Sequence, residues 1–180
     1  MRISAERSCL MIVDLQENLA PVTTDPRRVI RGCSLLLRAA KRLGVPAMVT
    51  EQYPKGLGPT MVDLREWMPA EGAFSKMAFS CVEDAAIMAH LAGTGRRQVV
   101  VAGMEAHVCV LQTALGLKEN GYDVFVVADA CASRRAESET LAWWRLQQSG
   151  VALVSLEMVY FEWLKQAGTP EFKELVALIK

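Results

Sequence analysis

A carboxylate, a lysine and a cysteine stand where a parallel α/β protein would gather reactive groups. Asp14 closes the apolar run Cys9-Leu-Met-Ile-Val13. At the rim of a hydrophobic sheet, burial raises a carboxylate's pKa and a nearby cation lowers it; either tunes a general base. Asp is also a favoured helix N-cap, so Asp14 could instead start a helix near Leu15. Cys109 sits in Gly103-Met-Glu-Ala-His-Val-Cys109-Val, which reads as a strand, a glycine turn and a helix start. A thiol in a first helical turn feels the positive end of the helix dipole, which favours thiolate. Unpaired backbone N–H groups there can hold an oxyanion. The competing reading is a buried structural cysteine. Lys76 is a lone cation within Phe74-Ser-Lys-Met-Ala-Phe79. Such a setting implies burial beside an anion, or a surface lysine whose stem packs on Phe74.

The only histidines are His90 and His107. His90 falls in a helical stripe and reads as structural or solvated. His107 lies two residues before Cys109, and a Cys–His dyad is sound chemistry. Positions so close in a tight turn rarely converge, however. Gly93-Thr-Gly95-Arg-Arg lacks the Lys-Ser/Thr of a phosphate loop and precedes a strand. With no HExxH, no EF-hand loop and few convergent His or Cys, neither a metal nor another cofactor is expected.

Five short, β-branched, nearly unalternated runs read as strands buried on both faces: residues 9–13, 46–50, 98–102, 123–128 and 151–155. Helical patterns cover 25–43, 81–91, 108–120 and 134–149. Gly44, Gly121 and Gly150 stop three of them just before a strand. Residues 170–179 read as one more surface helix. Repeated strand–helix units predict a three-layer, doubly wound, mostly parallel α/β sheet of Rossmann type, with helices on both faces. Ligands in such sheets bind beyond the carboxyl ends of the strands. That directs attention to Asp14, to Glu51 and Gln52, to the segment after Gly103, and to Asp129. The stretch 51–80 reads as a long irregular loop, best understood as an ordered cover over the site.

The 180 residues suit a single domain spanning 1–180, and 52% hydrophobic content supports a real core. Twenty basic residues balance twenty acidic ones, which gives no electrostatic case for nucleic acid. No run reaches the ~18 apolar residues of a membrane span, and no signal peptide is visible, so a cytoplasmic location is expected. Five cysteines without CxxC spacing read as free thiols. Leu141-Ala-Trp143-Trp144 would supply either a subunit interface or core packing.

Three segments in order resemble the isochorismatase-like cysteine hydrolase family: Leu10-Met-Ile-Val-Asp14-Leu-Gln-Glu17, Phe74-Ser-Lys76 and Gly103-Met-Glu-Ala-His-Val-Cys109-Val. The similarity covers about Ser8 to Met158. Glu51-Gln-Tyr-Pro-Lys-Gly-Leu-Gly58 and Glu105-Ala-His-Val-Cys-Val-Leu-Gln-Thr113 narrow it to isochorismatase domain-containing proteins of unassigned substrate. The resemblance implies a triad in which Asp14 takes the thiol proton, Lys76 stabilises charge and Cys109 attacks a carbonyl carbon. It implies an oxyanion hole from the backbone N–H groups of Glu105 and Cys109, with a cis peptide between Met104 and Glu105. Homo-oligomers are common among relatives. Nicotinamidases of the superfamily carry an Asp-x-His…His metal site where this chain reads Glu51-Gln52-Tyr53, so no catalytic metal is expected. Leu15, Tyr53, Phe79 and Met104 would line a pocket for a small, fairly apolar substrate. A thiol-redox or binding role on the same fold stays open, with Cys131 as the candidate resolving thiol.

Overall fold

The computed structural model describes residues 1–180. Its strands are β1 (Ser8–Val13), β2 (Ala47–Gln52), β3 (Ala73–Lys76), β4 (Gln98–Met104), β5 (Asp123–Ala132) and β6 (Ala152–Val154). They form one parallel sheet in the order β3-β2-β1-β4-β5-β6. Every residue of β1 and β4 is buried. The two unalternated apolar runs are therefore the two central strands, covered on both faces.

The helices are α1 (Pro26–Leu43), α2 (Pro54–Leu57), α3 (Val62–Arg65), α4 (Ala85–Gly93), α5 (Leu111–Glu119), α6 (Ala136–Gln148), α7 (Leu156–Leu164) and α8 (Pro170–Val176). α1 packs with α7 and α8, and α5 packs with α6. α1 starts and stops as its sequence dictates. The Asp25 side chain accepts the Arg28 N–H, Pro26 occupies the first turn, and Gly44 takes φ +66°.

Strand order reverses between β1 and β4, so the chain leaves these neighbours toward opposite sides of the sheet and opens a crevice at their carboxyl ends. Asp14 follows β1 there, and the Glu105–Cys109 segment follows β4. The register sets Val13 opposite Gly103. Gly103 has φ +122°, and a Cβ at that position would lie 2.0 Å from the Val13 carbonyl oxygen. Only glycine lets β4 approach β1 this closely. Gly103→Ala is expected to cost at least ~3 kcal/mol of folding free energy in urea denaturation. A cost below ~1 kcal/mol would refute this register.

Several expectations are corrected. Residues 51–80 are not an irregular loop: they hold the end of β2, α2, α3 and all of β3. β3 reads Ala-Phe-Ser-Lys, without the β-branched run that marks an inner strand, because it is the sheet edge. β5 runs on to Ala132, so Asp129 lies within a strand, where its carboxylate accepts the Leu156 N–H at 2.8 Å. The helix expected from Cys81 splits into a 3₁₀ turn, Cys81–Glu83, and α4, with Asp84 capping the latter. α7, absent from the sequence reading, begins at Ser155, whose hydroxyl accepts the Met158 N–H.

Candidate active site

Asp14, Lys76 and Cys109 meet at the β1/β4 crevice. No helix begins at Leu15, and the first helical turn comes only at Ala20–Val22, so Asp14 is not a cap. Its backbone takes φ +49°, and its N–H donates to the Thr50 carbonyl at 3.1 Å. The carboxylate is fully buried. Oδ1 accepts the Thr50 hydroxyl at 2.7 Å, and Oδ2 accepts Lys76 Nζ at 2.7 Å.

Lys76 ends β3 and points inward, with no exposed side-chain surface. Its ammonium donates to Asp14 Oδ2, to Gln52 Oε1 at 2.7 Å, and to the carbonyls of Phe79 and Ala78 at 3.1 and 3.3 Å. Three N–H bonds meeting four acceptors make it a fixed cation, with no hydrogen left for another group. A buried ion pair in this form carries its own hydrogen-bonding shell, the condition under which burial of two charges is tolerable.

Cys109 is 5% exposed and is the fourth residue of a π-helical turn, Ala106–Val110, that runs into α5. Such π turns concentrate at functional sites. The charges of Asp14 and Lys76 both act on its thiol. Burial, and then the Asp14 charge, push the thiol well above its ordinary value; Lys76 pulls the other way and loses. The helix-dipole expectation of a resting thiolate is therefore overturned. The sulfur is dehydrated beside an anion, and both effects outweigh a dipole that fades within a turn. The resting group is a thiol beside a buried carboxylate.

The Met104–Glu105 peptide bond is cis, and the Glu105 N–H donates to no protein acceptor. The Glu105 carboxylate accepts Arg134 Nε at 2.9 Å and the Arg134 N–H at 3.3 Å, so the guanidinium balances its charge. His107 Nδ1 pairs with Ser133 Oγ at 2.8 Å, not with Cys109. His90 stacks obliquely on Phe74, ring centroids 4.9 Å apart, in a structural role. Tyr53 is 48% and Phe79 54% exposed, flanking Lys76 in space or sequence: the Tyr53 N–H donates to the Lys76 carbonyl at 3.0 Å. Leu15 and Met104 are fully buried, so they form packed floor rather than open wall. Two clefts of about 440 and 480 Å³ run along α1 beside Arg27, Arg31 and Leu35, and neither includes the three reactive side chains.

Sequence reasoning singled out Gln52 without a role and missed Thr50 and Gln16. Gln16 Oε1 accepts the Gln52 N–H at 2.8 Å, and its Nε2 donates to the Gln52 and Gly58 carbonyls at 3.0 and 2.6 Å. This ties the chain after β2 to the chain after β1. The signal was available: polar residues with no surface to face, at the ends of apolar strands. No cluster of three or more His, Cys, Asp or Glu is arranged to hold a metal ion.

A doubly wound, all-parallel six-stranded sheet with a thiol, a carboxylate and an ammonium at its switch point defines an α/β protein of Rossmann-like architecture. The chain belongs to the isochorismatase family, whose domain model matches residues 8–158. It is 39% identical over 184 residues to the secreted isochorismatase effector Isc1 of Phytophthora sojae, covering 99% of this chain and 87% of that one. It is 38% identical over 181 residues to isochorismatase domain-containing protein 2 of Danio rerio, covering 99% and 89%. Among solved structures it resembles the MAR1 ribonuclease of Caenorhabditis elegans, with TM-score 0.93, 36% identity and coverage of 99% and 92%. The YcaC gene product of Escherichia coli, described as an octameric hydrolase of unknown specificity, shares the fold at TM-score 0.93 and 24% identity, covering 99% and 90%. No helix here is long and apolar enough to cross a membrane.

Proposed function

We propose that the protein is a cysteine-dependent hydrolase of a small, uncharged carbonyl or amide-type compound, acting through a thioester-like intermediate. The observation that carries this is the Asp14 carboxylate, fully buried, ion-paired to Lys76 at 2.7 Å and near enough to Cys109 for its charge to act on the thiol. As sulfur attacks the carbonyl carbon, Asp14 takes the thiol proton. The oxyanion accepts the backbone N–H groups of Glu105 and Cys109. Collapse breaks the bond to the leaving group, which departs with the proton from Asp14. Water then attacks the thioester, gives its proton to Asp14, and frees the acid as that proton returns to sulfur. Lys76 stabilises the Asp14 carboxylate whenever it is ionised and moves no proton.

An uncharged substrate follows from how the nearby cations are committed. Lys76 is saturated by Asp14 and three further acceptors, and Arg134 is engaged by Glu105. A substrate carboxylate in the crevice would be desolvated without a free counter-charge. Tyr53 and Phe79 offer an apolar rim over a floor of Leu15 and Met104. The ribonuclease name of the nematode relative does not guide this reading, because formal charge here balances at +0. Five free thiols suit a reducing, cytoplasmic setting. Self-association is supported by Leu141 and Trp144, 68% and 64% exposed on α6, and by the octameric state described for YcaC. A redox role through Cys131 has less support, since that sulfur is fully buried in β5.

Intact-protein mass spectrometry after brief iodoacetamide treatment at pH 7 tests the core of the reading. Cys109 should label well before the other four cysteines, and Asp14→Asn should slow it. Cys109→Ala should abolish turnover in a screen of small amides and esters. Labelling of Cys109 no faster than Cys9 or Cys33, or turnover that survives Cys109→Ala, defeats the proposal.

A further inference from the structure

We infer that Thr50 is a positioning residue that aims the Asp14 carboxylate at the Cys109 thiol, an inference that builds on the hydrolase reading above. Thr50 lies in β2 and is fully buried. It holds Asp14 twice: its carbonyl accepts the Asp14 N–H at 3.1 Å, and its hydroxyl donates to Oδ1 at 2.7 Å. A carboxylate only accepts, so the single hydroxyl hydrogen is committed to Asp14. Lys76 grips the other oxygen at 2.7 Å. The carboxylate plane is therefore fixed at both ends, and what remains of its lone pairs is presented to the thiol.

The need for a clamp is local. Asp14 sits at φ +49°, where a side chain has little intrinsic guidance from a surrounding strand or helix. Without Thr50, the carboxylate is free to turn about its last bond and present both oxygens to Lys76. That would strengthen the ion pair and take the base away from the sulfur. The β-branched side chain suits the task because its rotamer is restricted. Its hydroxyl oxygen is itself approached by the Cys81 thiol, with Sγ at 3.9 Å. A second buried thiol thus donates into the oxygen that donates to the base. Cys81 is pushed up to about 11, chiefly by burial and next by the Asp14 charge, so it stays protonated and keeps that role.

Thr50→Val keeps the shape and deletes the donor; Thr50→Ser keeps the donor and deletes a methyl. The measurement is the rate of Cys109 carboxamidomethylation by iodoacetamide at pH 7, on samples whose near-ultraviolet circular dichroism matches the parent. Thr50→Val should lower the rate about tenfold, the loss of one hydrogen bond to a charged group. Thr50→Ser should recover most of the rate. An unchanged rate in Thr50→Val overturns the inference. So does a Thr50→Ser variant as slow as Thr50→Val, which would assign the effect to packing. Alkylation needs no substrate, so this outcome is read separately from turnover. If Cys109→Ala remains active the hydrolase reading falls, while the role of Thr50 at the thiol is still decided.

Discussion

Lys76→Met alone is expected to lower the free energy of unfolding by about 3–5 kcal/mol, the cost of leaving one member of a buried ion pair without its partner. The double variant Asp14→Asn/Lys76→Met should recover most of that loss. The reason is the geometry of the pair. Both side chains have no exposed surface, and the two charges are 2.7 Å apart. Removing the ammonium leaves Asp14 with one donor, Thr50, and no counter-charge in a site closed to water. Removing the carboxylate charge leaves Lys76 with Gln52 and two carbonyls, which accept hydrogen bonds but carry no full charge. Removing both charges discharges the site, and methionine replaces much of the lysine stem. Asparagine is the right partner substitution, since it tolerates the left-handed backbone that Asp14 adopts. Urea denaturation at pH 7 on all four proteins gives the cycle, with unchanged slopes as the check that one transition is being compared. Single variants that each cost less than ~1 kcal/mol would refute the pairing. The double variant should be inactive however stable it is, since the proposed mechanism needs the Asp14 carboxylate as its base.

The sequence exposed the parts of the fold that depend on burial and hid those that depend on position. β1 and β4 were legible because a strand covered on both faces must be apolar at every residue, and Leu10 to Val13 and Val99 to Ala102 are. β3 was not, because an edge strand needs no such run. It was found as chemistry before it was found as structure: Lys76 stood out as a cation among apolar neighbours, and its burial is the observation that makes β3 matter. Residue types pointed to an Asp–Lys–Cys meeting, but not to the state of the thiol. The dipole argument considered one field, whereas the site applies three: dehydration, the Asp14 charge and the opposing Lys76 charge. Thr50 and Gln16 were hidden for a different reason. Each looks like an ordinary polar residue in a strand or turn, and only the register of β1 against β2 puts them around Asp14 and Gln52.

Raising the pH from 9 to 10 is expected to remove about 5 kcal/mol of folding free energy, as five thiols at about 1 kcal/mol each while their unfolded forms go from half to nearly fully ionised. All five cysteines are buried, and burial is the first cause of the upward shift in each. Cys9 and Cys131 are pushed up to about 12 and Cys81 to about 11, while Cys33 and Cys109 are also held well up. In the unfolded chain each ionises near the ordinary 9.0. The native state therefore keeps protons that the unfolded state releases. This stabilisation is nearly complete below pH 9 and is lost as pH climbs from about 9 toward the native values, which begin at about 11. Urea midpoints should change less from pH 8 to 9 than from pH 9 to 10. Cys33→Ala should soften the later fall by one thiol's share, about 1 kcal/mol. Midpoints level through pH 10 would show that the thiols are not buried as neutral groups. The same burial bears on the proposed mechanism. A thiolate enzyme gains rate as its cysteine ionises, whereas the Cys109 thiol is held well above its ordinary value. A proton that passes from sulfur to Asp14 during attack, as proposed, predicts activity that stays flat from pH 7 to 9 and then drops together with the urea midpoint.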